Sequence, residues 1–392
     1  MALDVAFSTR FENIMKLTTH HAKHGQNPSE AKAAAMKIEQ NFFDSAQTTD
    51  EYQKLCDEIF LLNGEDASAL TCDLEDESVQ EEVFNTDGPT IGKYKWATFY
   101  ADGITSSVYK AKAIDSEAVH KVVALKIMHE DHLQPPHQAR KELRVLQRIR
   151  ADTIVPLLDS FQQAGGKLVL VFPFLRQDLE NLLRTGTLSR RQSAMVFEGL
   201  FSALSHLHAQ GIIHRDIKPS NILLQSKNGP VYLIDFGIAW GPDDPDSEAA
   251  DEKITDVGTT CYRPPELLFG YRAYDTSLDI WAAGCVVAEM SSKNHYQLFD
   301  AGPLGSELGL IKSMFSTLGT PSDGDWPSAS TYPDWGKVRF QQFKAKDWKE
   351  ILPGASELAI DFVRSTTCYE PAKRLTAEGA LKHPLLAELR RA

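Results

Sequence analysis

From Ile91 onward the chain falls into short runs in which apolar and polar positions alternate. Period-two alternation marks a half-buried strand. It predicts a hairpin over residues 93–100 and 106–113 and a third strand over 120–128. A helical period follows over 138–149, then two more strands near 154–161 and 167–172. Beyond Gln177 the pattern is mostly helical, including an apolar helix over 195–208 and a short alternating run over 231–235. The expected order is a small sheet-rich lobe followed by a larger helical one, an α+β arrangement.

The first 90 residues read differently. Residues 1–27 show no period. Ser29 can cap a helix from Glu30 to about Ala46, and Thr48 with Glu51 makes a capping box for a second helix ending at Asn63-Gly64. This helical hairpin, 29–64, carries Phe42, Phe43, Tyr52, Leu55, Ile59 and Phe60, which need a surface to pack on. Residues 65–90 are acidic and read as a loose linker.

Charge sharpens that boundary. The 392 residues carry a net charge of −13, and 1–90 hold 18 acids against 6 Lys or Arg, a net of −12. The expected domains are therefore an acidic extension, 1–90, and a body, 91–388. An acidic balance gives no support for nucleic-acid binding. With 42% hydrophobic and 24% charged residues, and no apolar run near the roughly 20 residues of a membrane span, no membrane partner is expected. Residues 1–20 lack a basic start and apolar block, so no secretory signal is expected. Cys56, Cys72, Cys261, Cys285 and Cys368 have no metal-like spacing and read as free thiols of the cytoplasm or nucleus. His20, His21 and His24 lack ligand-spaced partners and read as a solvated segment.

The chemistry concentrates in His214-Arg215-Asp216-Ile217-Lys218-Pro219-Ser220-Asn221, with Asp235-Phe236-Gly237 a short strand later. Together these motifs resemble the catalytic loop and magnesium-binding motif of protein kinases. The resemblance implies a bilobal kinase fold that uses ATP and Mg2+. Phosphoryl transfer rests on positioning and charge neutralisation. By the resemblance Asp216 accepts the substrate hydroxyl proton, Asn221 and Asp235 hold magnesium, and Lys218 reaches the transferring phosphoryl group. A Lys at that position is typical of serine/threonine kinases, and Thr259, matching the residue that bonds Asp216 and Lys218, is a second such mark.

Val122-Val123-Ala124-Leu125-Lys126 is similar to the kinase strand whose lysine contacts the phosphates, with Glu142 as its ion-pair partner. The glycine-rich loop departs from the pattern. Ala101, Gly103 and Ser106 stand where three glycines are usual, before Val108. Ala and Ser restrict the dihedrals glycine allows, so weaker ATP binding or a loop held in one conformation is expected. This departure motivates a reading of another class, a pseudokinase scaffold; the retained Lys126, Glu142, Asp216, Asn221 and Asp235 speak against it. Leu170 to Leu179 resembles the hinge of cyclin-dependent kinases. That match implies Phe172 as gatekeeper, Leu175 as the backbone partner of adenine and Asp178 near the ribose, with Val108, Ala124 and Leu223 sandwiching the ring.

Thr259-Thr260-Cys261-Tyr262-Arg263-Pro264-Pro265-Glu266 and Asp279-Ile280-Trp281 extend the resemblance to cyclin-dependent kinases, with Glu266 and Arg374 an implied ion pair. The control elements of that group are altered. Residues 135–142 do not match the cyclin-binding helix signature. Counting back to the usual activating threonine lands on Ile254, beside Thr255. Of three arginines that would hold its phosphate only Arg215 remains, with Lys141 and Trp240 at the other two positions. Ile104-Thr105 replaces the inhibitory Thr-Tyr pair. These departures are similar to those of fungal monomeric kinases that activate cyclin-dependent kinases. The expectation is a monomer, active without a cyclin, that phosphorylates the activation loop of another kinase. The runner-up is a cyclin-bound or mitogen-activated-type kinase acting directly on effectors. Gly258 leaves a proline-directed preference open, and the acidic insert 243–252 reads either as a lure for basic substrates or as a solvated stretch.

Overall fold

The hairpin of the sheet-rich lobe forms almost where the alternation puts it. β1 (Tyr94–Asp102) pairs antiparallel with β2 (Ser106–Ala113), and β2 with β3 (Val122–His129). β4 (Asp159–Gln163) and β5 (Lys167–Pro173) complete a five-stranded antiparallel sheet in the order β1-β2-β3-β5-β4. The computed structural model describes Thr48, Tyr52, Phe84 and residues 86–103, 105–115, 120–129, 135–226, 228–302 and 305–391. The chain divides into two units, Met1–Glu82 and Val83–Ala392, and apart from Thr48 and Tyr52 all that is described lies in the second. Most of the expected N-terminal hairpin, and the His20–His24 stretch, lie outside the described residues. Within it, the Tyr52 amide donates to the Thr48 carbonyl at 3.0 Å, the i to i−4 bond of a helix.

β5 is buried on both faces of the sheet, as its alternate residues show. Val169 and Val171 join Ile91, Tyr94, Ala111, Val123 and Leu125 in a core of the sheet's own. Leu168 and Leu170 point the other way, into the main core with Val145 and Leu146 of α1 (Ala139–Arg148). One strand expectation needs correction. Residues 154–161 are not one strand; β4 starts at Asp159. Pro156 has no N–H for a ladder. Residues before it turn away, with the Val155 amide bonding the Leu233 carbonyl at 3.1 Å and so tying the two lobes together.

The second lobe is mainly helical. α2 (Leu179–Arg184), α3 (Arg190–His208), α4 (Pro265–Leu268), α5 (Ser277–Ser291), α6 (Glu307–Leu318), α7 (Trp348–Ile351), α8 (Glu357–Thr366), α9 (Ala377–Leu381) and α10 (Pro384–Arg390) surround a small sheet of β6 (Gln177–Asp178), β7 (Ile222–Leu224) and β8 (Val231–Leu233). α3 starts one turn before the apolar period, because Ser189 and Gln192 close a capping box ahead of it. α5 is buried from Leu278 to Glu289 and forms the axis of this lobe. Among the described residues no helix is long and apolar enough to cross a membrane. The architecture is the bilobal kinase fold expected from the motifs.

Candidate active site

The loop after α3 is fixed from below. Backbone amides of His214 and Arg215 both donate to the Asp279 carboxylate, at 2.9 Å each, and His208 Nε2 meets the same carboxylate at 2.9 Å. Burial would raise the Asp279 pKa, but the bond and charge of His208 outweigh it and hold it below the usual carboxylate range. Arg215 and Asp235 adopt φ of +72° and +65°, which non-glycine residues rarely do. Such strain costs of order 1–3 kcal/mol per residue and persists only where the surroundings over-determine the backbone. Asp279, to which the sequence motifs assign no role, supplies that constraint under Arg215.

Asp216 sits at the centre of a closed polar cluster. Its Oδ1 accepts from the Thr259 amide at 3.0 Å and from Thr259 Oγ1 at 2.8 Å. Its Oδ2 pairs with Lys218 Nζ at 2.9 Å and accepts from Asn221 Nδ2 at 3.1 Å. Lys218 Nζ also donates to Thr259 Oγ1 at 3.0 Å. All four expected residues of this half are therefore brought together.

Lys126 joins the two lobes. From β3 it reaches both oxygens of Glu142 on α1, at 2.7 and 2.8 Å, and Asp235 Oδ1 at 2.7 Å. Burial lowers an ammonium pKa, but the two carboxylates outweigh it and raise Lys126 above its ordinary value. Asp235 is held far below the carboxylate range, since Lys126 overcomes the effect of burial. Burial pushes Glu142 up, with Lys126 opposing. Gly237 fits tightly here; a Cβ on it would stand 3.3 Å from Asp235 Oδ1. The donor set also suits a hard divalent cation. Asp235 offers carboxylate oxygen, and Asn221, with its NH2 committed to Asp216, keeps its amide oxygen.

The nucleotide side is assembled by strand register. Ala101 lies opposite Val108, Val108 opposite Lys126, and Ala124 opposite Phe172. Leu223 lies opposite Asp178 in the small sheet, and Leu175 between the lobes is buried. Asp178 also has a structural task, since its Oδ1 accepts from the Asn181 amide at 2.7 Å and caps α2. Two hydrogen bonds close the described part of the glycine-poor loop. Gly103 N donates to Ser106 O at 2.7 Å, and Ser107 Oγ donates to Asp102 at 2.7 Å. Neither Ala101 nor Ser106 has positive φ. Tyr100, not singled out from sequence, meets Phe174 edge-on at 5.0 Å beside this mouth.

The activation segment, residues 236–266, is tied at both ends. At its far end Arg374 pairs with Glu266 at 2.6 and 2.7 Å, as expected. At its near end the acidic insert departs from both expectations. Asp243, Asp244, Asp246 and Glu248 are not simply solvated but bonded to α1 and the catalytic loop, while Asp251 and Glu252 stay exposed. Arg144 reaches Asp244 at 2.9 Å and Asp246 at 2.5 Å, Arg148 reaches Asp243 at 2.7 Å, and Arg215 reaches Glu248 at 3.0 Å. The signal that could have found this pairing was sign complementarity between the insert and the basic run Arg140-Lys141, Arg144, Arg148. Arg215 and Ile254 part company here: the Arg215 guanidinium bonds Glu248, while Ile254 packs near Trp240 and Tyr274 in an apolar cluster.

The protein kinase domain model matches residues 101–386 of the chain. The chain belongs to the protein kinase family. It is 37% identical over 268 residues to serine/threonine-protein kinase csk1 of Schizosaccharomyces pombe, covering 67% of this chain and 85% of csk1. It is 33% identical over 288 residues to cyclin-dependent kinase 20 of Rattus norvegicus, covering 72% and 79% respectively. Among solved structures it resembles the crystal structure of the yeast RNA Pol II CTD kinase CTDK-1 complex. That match has a TM-score of 0.64 and 26% identity over 78% of this chain and 96% of that one. This kinase is a serine/threonine protein kinase related to csk1 and to cyclin-dependent kinases, and ATP is the phosphate donor its family implies.

Proposed function

We propose that this kinase phosphorylates the activation-loop threonine of cyclin-dependent kinases and works as a single chain without a cyclin. The observation that carries the reading is the state of α1. The basic edge of that helix is bonded to the chain's own insert through Arg144 and Arg148, while Glu142 on its inner side already holds Lys126. A helix positioned from within does not need a second chain to position it. The resemblance to fungal monomeric activating kinases lends support, and the 37% identity to csk1 supports a serine/threonine protein kinase.

In this reading Asp216 accepts the proton of the substrate hydroxyl as the hydroxyl oxygen bonds to the γ-phosphorus and the bond from that phosphorus to the β,γ-bridging oxygen breaks, releasing ADP. Lys218 steadies the transferring group, and Thr259 locks both. Glu142 orients Lys126 toward the phosphates of ATP. The turn around Ala101 and Gly103, closed by the bond from Gly103 N to Ser106 O, covers those phosphates. Val108, Ala124 and Leu223 enclose adenine, Phe172 backs the pocket, Leu175 bonds the base through its backbone, and Asp178 meets the ribose with its second oxygen. Asn221 and Asp235 are the residues to hold Mg2+, which when bound neutralises charge on the phosphates. A second reading, a cyclin-bound or mitogen-activated-type kinase acting directly on effectors, draws on the similarity to cyclin-dependent kinase 20.

The test is phosphate transfer by the single chain purified from bacteria. It is given ATP, Mg2+ and an inactive, cyclin-bound cyclin-dependent kinase, with Asp216→Asn as control. Transfer to the target's activation-loop threonine, lost in the control, is expected. Transfer to a generic basic protein but not to this target would favour the second reading.

A further inference from the structure

Arg215 poses a question that phosphoryl transfer does not answer. Its side chain is fully buried beside Asp216, and a buried cation needs an anion. The anion is Glu248, which receives both terminal nitrogens of the guanidinium, Nη1 at 3.0 Å and Nη2 at 3.3 Å. Lys141 of α1, also buried, approaches the same carboxylate at 3.8 Å. Trp240, shortly after Asp235, donates its ring N–H to the Glu248 carbonyl at 2.9 Å. One residue is thus gripped by the catalytic loop, by the helix that carries Glu142, and by the segment that follows Asp235.

The joint continues along α1. Lys141, Arg144 and Arg148 share one stripe of the helix, at i, i+3 and i+7. The insert runs past that stripe in the opposite direction, so that Asp243 meets Arg148, Asp244 and Asp246 meet Arg144, and Glu248 meets Lys141. The far end of the insert is pinned by Lys253, buried, whose ammonium donates to the carbonyls of Ala250 and Tyr274 and lies 4.5 Å from the Trp240 ring. Burial alone would raise the Glu248 pKa, but Arg215 lowers it and keeps the carboxylate charged.

We propose that the acidic insert is a built-in anionic clamp, in which Glu248 takes the place an activating phosphate would occupy on this segment. Asp243, Asp244 and Asp246 dock the segment on α1. Converging charge-assisted bonds are what a phosphate uses to order a loop, and here the chain encodes them. The kinase therefore holds Lys126, Glu142, Asp216 and Asp235 in register without phosphorylation of residues 236–266. The inference deepens the single-chain reading above. It rests on phosphoryl transfer itself and not on which protein receives the phosphate, so it is tested with a generic basic protein.

Full-length protein is treated with a broad phosphatase, checked by mass spectrometry for the absence of phosphate in 236–266, and assayed at saturating ATP. Its kcat is expected to stay within about twofold of the untreated enzyme; a loss beyond about tenfold, with a phosphosite mapped in the segment, overturns the proposal. Glu248→Gln is expected to lower kcat by about tenfold or more, whereas Asp251→Asn, which removes an exposed acid of the same insert, leaves it within about twofold. Equal effects of the two variants overturn it. The charge reversals Arg144→Asp and Asp244→Arg are each expected to reduce kcat, and the double reversal to restore most of it. A double variant that melts like wild type yet recovers no activity overturns it, so the proposal stays testable if Glu248→Gln fails to fold. Activity on the basic protein but not on a cyclin-dependent kinase leaves the clamp standing and removes only the proposed target.

Discussion

The two ends of the activation segment are held by the same chemistry in different surroundings. At the far end both side chains of the Glu266–Arg374 pair are essentially fully buried. Arg374 also donates to the carbonyls of Cys368, Ser277 and Tyr369 and lies 4.9 Å from the Trp281 ring. At the near end the Arg148–Asp243 pair is about half exposed and the Arg144–Asp244 pair partly so. A buried pair has lost its water, so removing one partner strands a charge. A half-exposed pair keeps water as an alternative partner and is screened by salt. The first belongs to the stability of the lower lobe. At the near end the outer pairs of Arg144 and Arg148, unlike the buried Arg215–Glu248 pair, can hold geometry for catalysis while contributing little to the fold.

The strongest way to break this comparison is Arg374→Ala. It leaves the Glu266 carboxylate buried and unpaired, and a loss of about 3–5 kcal/mol is expected in urea or thermal unfolding. An unchanged melting midpoint would mean that the two ends do not differ as described.

A buried acid with no cation sharpens it. Glu289, on α5 beneath Tyr262, is raised to about 7, chiefly by burial, with the Tyr262 hydroxyl partly opposing. Its Oε1 has no hydrogen-bond partner. The folded state keeps a proton that the unfolded state releases above about 4.5. Its contribution is therefore fully present below pH 4.5 and is lost as pH rises through about 7, a slope worth about 3 kcal/mol. Unfolding free energies across that window should fall in the wild type, and more weakly in Glu289→Gln.

Between the two ends lies Gly258, with φ of +75°, where an added Cβ would stand only 2.5 Å from the Arg215 carbonyl oxygen. Gly258→Ala meets both the dihedral and the clash, so a loss of about 1–3 kcal/mol is expected, together with slower turnover as Thr259 is displaced from Asp216. The smallest effect is expected at the near end. Arg148→Ala should change unfolding free energy by less than about 1 kcal/mol.

Legibility followed the range of the interactions. The strand over 106–113 and the helix near 139–148 were readable because period is local. Lys126, Glu142, Asp216, Asn221 and Asp235 were readable as motifs, and the fold bonds Lys126 to Glu142 and Asp235 and bonds Asn221 to Asp216. The start of β4 was misplaced because Pro156 matters only once a ladder partner exists. Asp279 was visible as part of a motif, yet its bonds to His214 and Arg215 depend on where α5 lies against the loop.

The sequence by itself determined the order of a sheet-rich part before a helical one, since period is local, and its motifs, through their resemblance to protein kinases, implied the bilobal fold and the residues for phosphoryl transfer. Only the tertiary structure decided what the acidic insert does. Asp244 is 100 residues from Arg144, and Glu248 is 33 from Arg215. Charge acts across space without regard to separation along the chain, so the same acids that read as a solvated stretch become a clamp once α1 is packed beside them.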